Sequence, residues 1–131
     1  MRSSISAKDY MSADLIIFEP DMDIHRAIEL LLENRISGGP VVDSQGNLIG
    51  VLATKDCFKV AFTASYHQER GGRVSEYMSE PVETIDADTD IVEVAETFLK
   101  SRYRRFPVTA KGRLVGQISR YDVLKALDDL W

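Results

Sequence analysis

The feature that most constrains this chain is an internal duplication. Met11 and Met78, Ile24 and Ile91, and Pro40 and Pro107 all stand 67 residues apart, whereas Gly50 and Gly116, and Asp56 and Asp122, stand 66 apart. The register therefore slips once, by one residue. The slip falls where Asp43-Ser44-Gln45-Gly46-Asn47 is matched by Ala110-Lys111-Gly112-Arg113, and both stretches are turn chemistry between apolar runs, where a length change is best tolerated. Two repeats of this length that do not build a long array bury their open faces as a pair.

Each repeat contains a stretch in which an apolar strand runs into a helix. In the second copy this is Gly116-Gln117-Ile118-Ser119-Arg120-Tyr121-Asp122, and in the first it is Gly50-Val51-Leu52-Ala53-Thr54-Lys55-Asp56. Ser119 is placed to cap the helix and Asp122 to reach back from its third position, as in a capping box. A helix start also exposes unpaired N–H groups with a positive partial charge, which suit a phosphate. In the first copy the residue three before the aspartate is Ala53, which has no hydroxyl, and Thr54 is displaced by one position.

Taken in order, Ala7 to Ser12 reads as a short helical lead-in, repeated at Val74 to Ser79. Leu15–Phe18 and Val82–Ile85 read as short strands. Asp23 and Asp90 are N-caps for helices with apolar faces at Ile24, Ala27, Ile28, Leu31 and Leu32 and at Ile91, Val94, Ala95, Phe98 and Leu99. A strand, a turn and a second strand follow in each copy. The first copy then has a helix from Lys55 to about Thr63, with Cys57, Phe58, Val60 and Ala61 available for its inner side, and the second has a helix from Arg120 toward Leu130. The polar connector ends in Gly71-Gly72, which sets the expected divisions at 1–66, 67–73 and 74–131.

The apolar fraction of 44% allows a real core. A formal net charge of −5, with positives scattered along the chain, disfavours a nucleic-acid partner. No apolar run approaches the ~20 residues that cross a bilayer. The N-terminus carries no apolar leader segment, so a cytoplasmic protein is expected. There is no H-E-x-x-H, Walker loop, G-x-S-x-G elbow or G-x-G-x-x-G, and no Cys/His cluster with metal spacing, so neither an enzyme nor a required cofactor is expected.

The lead-ins with Met11 and Met78, the segments Ile36-Ser37-Gly38-Gly39-Pro40-Val41-Val42-Asp43 and Arg105-Phe106-Pro107-Val108, and the two glycine-to-aspartate stretches together carry a resemblance. The chain resembles a stand-alone tandem pair of cystathionine-beta-synthase (CBS) domains, the regulatory unit called a Bateman module. The resemblance implies an α/β (α+β) fold of two β-α-β-β-α repeats about a pseudo-twofold axis, with clefts that bind AMP, ADP, ATP or S-adenosylmethionine. It also implies a homodimer that modulates an effector protein. Ribose and phosphate roles fall on Asp122 and Ser119, and adenine recognition falls on the backbone at Phe106-Pro107 and Gly39-Pro40. Arg104, Arg105 and Arg120 are the cations available to phosphates, and only Arg120 stands beside the helix start. Asp56 and Thr54 make a weaker or empty counterpart site. The alternative is a ligand-independent dimerisation or docking module whose boxes are only structural caps.

Overall fold

Each hairpin of the fold is set by its turn. The structure is a computed structural model and describes residues 4–67, 71–80 and 83–131. Its elements are α1 (Ala7–Tyr10), α2 (Ile24–Asn34), β1 (Gly38–Val42), β2 (Leu48–Ala53), α3 (Thr54–His67), α4 (Val74–Tyr77), β3 (Ile85–Asp86), α5 (Ile91–Leu99), β4 (Arg105–Ala110), β5 (Arg113–Ser119) and α6 (Arg120–Leu130). Between β1 and β2 the Asp43 carboxylate accepts from the Gln45 and Asn47 N–H groups, at 2.9 Å each. Between β4 and β5 the turn is Lys111-Gly112, with φ of 53° and 81°. Both values lie in the left-handed region that a two-residue hairpin favours.

The β4–β5 hairpin carries a third strand, β3, which pairs in parallel through Ile85 with Val108 and Asp86 with Thr109. In the first repeat the expected strand Leu15–Phe18 reduces to a single parallel bridge between Phe18 and Val41. One residue type accounts for the difference. The Ala87 N–H donates to the Thr109 carbonyl at 2.9 Å and prolongs the ladder, but its counterpart is Pro20, which has no N–H to give. Val82, the expected start of the second strand, lies outside the described residues.

The chain forms two compact units, and neither is simply one sequence repeat. One comprises Met1–Leu15 with Glu83–Trp131, the other Ile16–Val82. In the first unit Ala7 N–H donates to the Thr89 carbonyl (2.9 Å), Lys8 N–H to Ala87 (3.0 Å) and Ile91 N–H to Ile5 (2.9 Å). In the second, Val74 N–H donates to Met22 (2.9 Å), Ser75 N–H to Pro20 (3.0 Å) and Ile24 N–H to Gly72 (3.0 Å). These two sets are the same bonds with the repeats exchanged. Each lead-in thus docks on the strand and helix of the other copy.

The first unit's core holds Ile85, Ile91, Val94, Phe98, Phe106, Val108, Ile118, Val123 and Ala126. The second holds Phe18, Ile24, Ala27, Leu31, Val41, Leu52, Cys57 and Val74. Burying one such large side chain contributes about 1.5–3 kcal/mol. Several residues expected to face inward do not. On α3, Phe58 is 75% exposed and Ala61 is also outward, because Cys57 and Val60 take the inner face while Phe58, Phe62 and Tyr66 follow at i, i+4 and i+8 on the opposite one. Leu32 and Leu99 are likewise exposed, and so are Tyr121 and Leu124 on α6. Helix α3 also runs on to His67, so the beginning of the expected connector is helical. Among the described residues no helix is long and apolar enough to cross a membrane.

Candidate functional site

Strand β5 ends where Ser119 turns the chain into α6 with an extended backbone, φ −110° and ψ 168°. That geometry lets the Ser119 hydroxyl accept from the Asp122 N–H at 3.2 Å. In return, Asp122 Oδ2 accepts from the Ser119 N–H at 2.8 Å and from its hydroxyl at 2.9 Å. The expected capping box is therefore complete. Both bonds to the carboxylate use the same oxygen, and Asp122 is half-buried with Oδ1 left for another donor.

The β4–β5 register gathers the other expected residues of this half: Arg105 pairs with Ser119, Phe106 with Ile118 and Pro107 with Gln117. The ring of Phe106 is 1% exposed and lies 4.8 Å from the Phe98 ring and 5.5 Å from that of Tyr103, centroid to centroid. It is committed to the core, which leaves only its backbone for a ligand. Arg120 opens α6, its N–H bonded to the Arg104 carbonyl at 3.1 Å and its guanidinium to the Ser101 carbonyl at 3.1 Å. Sequence reasoning set Arg104 and Arg105 aside, yet the hairpin register brings both to this helix start. The signal was available in the pairing of Arg105 with the position that precedes the helix.

The other unit repeats the frame with less chemistry. Gly38 pairs with Ala53, Gly39 with Leu52 and Pro40 with Val51, and the Thr54 N–H donates to the Ser37 carbonyl at 2.9 Å. Asp56 Oδ2 accepts from the Ala53 N–H at 3.0 Å, but Ala53 has no hydroxyl to complete the box. Gly39 and Pro40 are buried and Thr54 is exposed. Gly39 is required by close packing, since a Cβ there would lie 2.8 Å from the Phe18 ring. Asp56 also forms part of the wall of an open concavity of about 750 Å³ between α3 and α4, with Lys59, Thr63, Glu76 and Tyr77.

The two lead-ins are anchored differently. The Tyr10 hydroxyl donates to Asp129 near the end of α6, and this bond pushes the Tyr10 phenol above its ordinary value. Tyr77, its counterpart, donates to the Gly71 carbonyl at 3.4 Å. Thr63 occupies the position equivalent to Asp129. Burial pushes the Cys57 thiol up to about 11, which makes it a packing group rather than a nucleophile. Among the described residues no group of three or more His, Cys, Asp or Glu is arranged to hold a metal ion.

The overall fold is shared with known proteins. The family model of the CBS domain matches residues 7–62 and again 74–129. The chain belongs to the CBS domain family and carries two such domains. It is 27% identical over 124 residues to the uncharacterized protein MJ1225 of Methanocaldococcus jannaschii, covering 95% of this chain and 43% of that one. It is 27% identical over 139 residues to the chloroplastic CBS domain-containing protein CBSX1 of Arabidopsis thaliana, covering 86% of this chain and 59% of that one. This chain therefore spans less than two thirds of each of these relatives. Among solved structures, CBSX2 in complex with AMP superimposes with a TM-score of 0.81 at 25% identity, covering 97% of this chain and 98% of that one. The cytosolic domain of the Mg2+ channel MgtE in complex with ATP gives 0.79 at 27% identity, covering 95% of this chain and 50% of that one.

Proposed function

We propose that the chain is a regulatory module that binds an adenosine-containing ligand, has no catalytic activity of its own, and passes the binding event to another protein. The observation that carries this reading is the half-buried Asp122 carboxylate, held by Ser119 through one oxygen while the other is unused. A fixed carboxylate with a free oxygen suits the hydroxyls of a ribose, and the start of α6 beside it suits phosphate. The likeness to CBSX2 with AMP and to the MgtE domain with ATP supports the same ligand class. Asp122, Ser119, Arg120 and the backbone at Phe106-Pro107 form the stronger half of this reading. Asp56, Thr54 and the backbone at Gly39-Pro40 form the weaker half, since Ala53 withholds the hydroxyl.

The mechanism is linkage: a ligand that binds one arrangement of the protein more tightly shifts the population toward it and alters the surface offered to a partner. A second copy of this chain is the first such partner. Phe58 and Phe62 on α3, 75% and 62% exposed, and Leu124 on α6, 67% exposed, supply apolar helix faces for a homodimer. A docking module without ligand is the second reading. It is favoured by one fact, that Ser119 and Asp122 satisfy one another as a complete capping box.

Isothermal titration calorimetry of ligand-stripped wild type and Asp122→Ala, with light scattering for the oligomeric state, separates the two. Saturable heat with an adenosine compound, lost in the variant together with about 0.5–2 kcal/mol of stability, is the expected result. A variant that keeps its nucleotide affinity would refute the site. A dimeric wild type silent toward every adenosine compound would leave only the docking reading.

A further inference from the structure

The cations are not scattered evenly. Residues 97–121 contain no Asp or Glu, and four arginines of this stretch, Arg102, Arg104, Arg105 and Arg120, gather at the end of the β4–β5 hairpin that carries Ser119. Arg105 is the cross-strand partner of Ser119, and Arg120 begins α6 with its N–H on the Arg104 carbonyl. All four are exposed. No salt bridge among the described residues involves any of them. The nearest carboxylate in sequence is Asp122, and its Oδ2 is already taken. Like charges gathered in this way repel one another, and among the described residues no salt bridge offsets that repulsion.

The duplication supplies an internal control. The first repeat builds the same junction, with the Thr54 N–H on the Ser37 carbonyl at 2.9 Å. The four equivalent positions there are Arg35, Ser37, Gly38 and Thr54, so one cation suffices where the second repeat has four. The positive cluster is therefore not a requirement of the backbone.

We propose that the Ser119 half selects adenosine ligands by phosphate count, favouring the di- and triphosphate over the monophosphate and excluding cationic S-adenosylmethionine. The inference rests on the adenosine reading above and deepens it. Four guanidiniums and a helix N-terminus set against one carboxylate leave a local charge of about +3. A phosphomonoester brings about −2, and each further phosphate about one more negative charge, so only a polyphosphate neutralises the cluster. The sulfonium of S-adenosylmethionine adds to the repulsion.

The test is calorimetric titration of the full chain and of the triple variant R102Q/R104Q/R105Q with AMP, ADP, ATP, S-adenosylmethionine and inorganic tripolyphosphate, folding being followed by circular dichroism. The expected result is affinity rising about tenfold from AMP to ATP in the wild type, with the ratio falling to about twofold in the folded variant. AMP or S-adenosylmethionine binding the wild type as tightly as ATP would overturn the inference, as would a variant that keeps the wild-type ratio. If no adenosine compound binds but tripolyphosphate does, and the variant loses it, phosphate selection stands while the adenosine reading falls. If tripolyphosphate is also silent, both fall. A single-stranded oligoribonucleotide captured more tightly than ATP would overturn it in favour of a polymer.

Discussion

Gly116 is glycine because the lead-in of the other repeat lies across it. A Cβ built there would meet the Met11 sulfur at 2.6 Å and the Ser12 carbonyl oxygen at 2.8 Å. Gly50 repeats the situation with Met78 at 2.8 Å and the Ser79 carbonyl at 3.0 Å. A methionine side chain can swing aside, but the carbonyl is backbone and is fixed by paired bonds, Ser12 to Gln117 and Ser79 to Val51. The steric limit is therefore set by main chain. Gly116→Ala and Gly50→Ala should each destabilise the protein by about 1–3 kcal/mol in urea unfolding followed by circular dichroism. An unchanged midpoint in either variant would mean that the lead-in does not press on the strand. The need for glycine at these two places was visible in the sequence as a matched pair, but its cause was not. A repeat period reports which residues are equivalent and is silent about which copy packs on which.

At the scale of elements, the two short lead-in helices are equivalent in sequence and unequal in attachment. Tyr10 donates to Asp129 and so ties α1 to the end of α6, whereas Tyr77 reaches only a carbonyl of the glycine pair before α4. Tyr10→Phe should therefore lower the thermal midpoint more than Tyr77→Phe. The pH dependence has a definite sign. The Asp129 bond raises the Tyr10 phenol above its ordinary value of 10.0, so the folded state favours the protonated phenol. That contribution is fully present below pH 10.0 and is lost as the pH rises through the raised value. The midpoints of wild type and Tyr10→Phe should converge only in strongly alkaline solution, and a gap that closes near neutrality would exclude this bond as its source. Element boundaries followed the sequence where a cap or turn residue marks them, as at Asp23, Asp90 and Ser119. They departed from it where the signal is a missing hydrogen rather than a side chain. Pro20 ended the first repeat's strand early for that reason, and α3 ran past Thr63 because nothing in Ser65-Tyr66-His67 stops a helix.

The whole molecule turns on the exchange of lead-ins, which makes the order of folding units differ from the order of repeats. Residues Ile16–Val82 form one continuous compact unit that includes the second lead-in, and the other unit needs Met1–Leu15 brought together with Glu83–Trp131. Cutting at the repeat boundary would leave each half without the segment that covers its glycine and caps its sheet edge. A fragment of about 65 residues has little stability to spare, so loss of those backbone bonds and of buried Val74 should be decisive. The fragment 16–82 is therefore expected to show helical circular dichroism and a cooperative melt, and the fragment 1–66 to show neither. Joining residue 131 to residue 4 through a flexible linker, in a chain that begins at residue 83 and ends at 15, should likewise fold alone. If 1–66 folds as well as 16–82, the exchanged lead-ins are ornament rather than structure. If only 16–82 folds, that compact unit is completed by the lead-in of the opposite repeat, whose Val74, Ser75 and Ser79 N–H groups bond back to Met22, Pro20 and Val51.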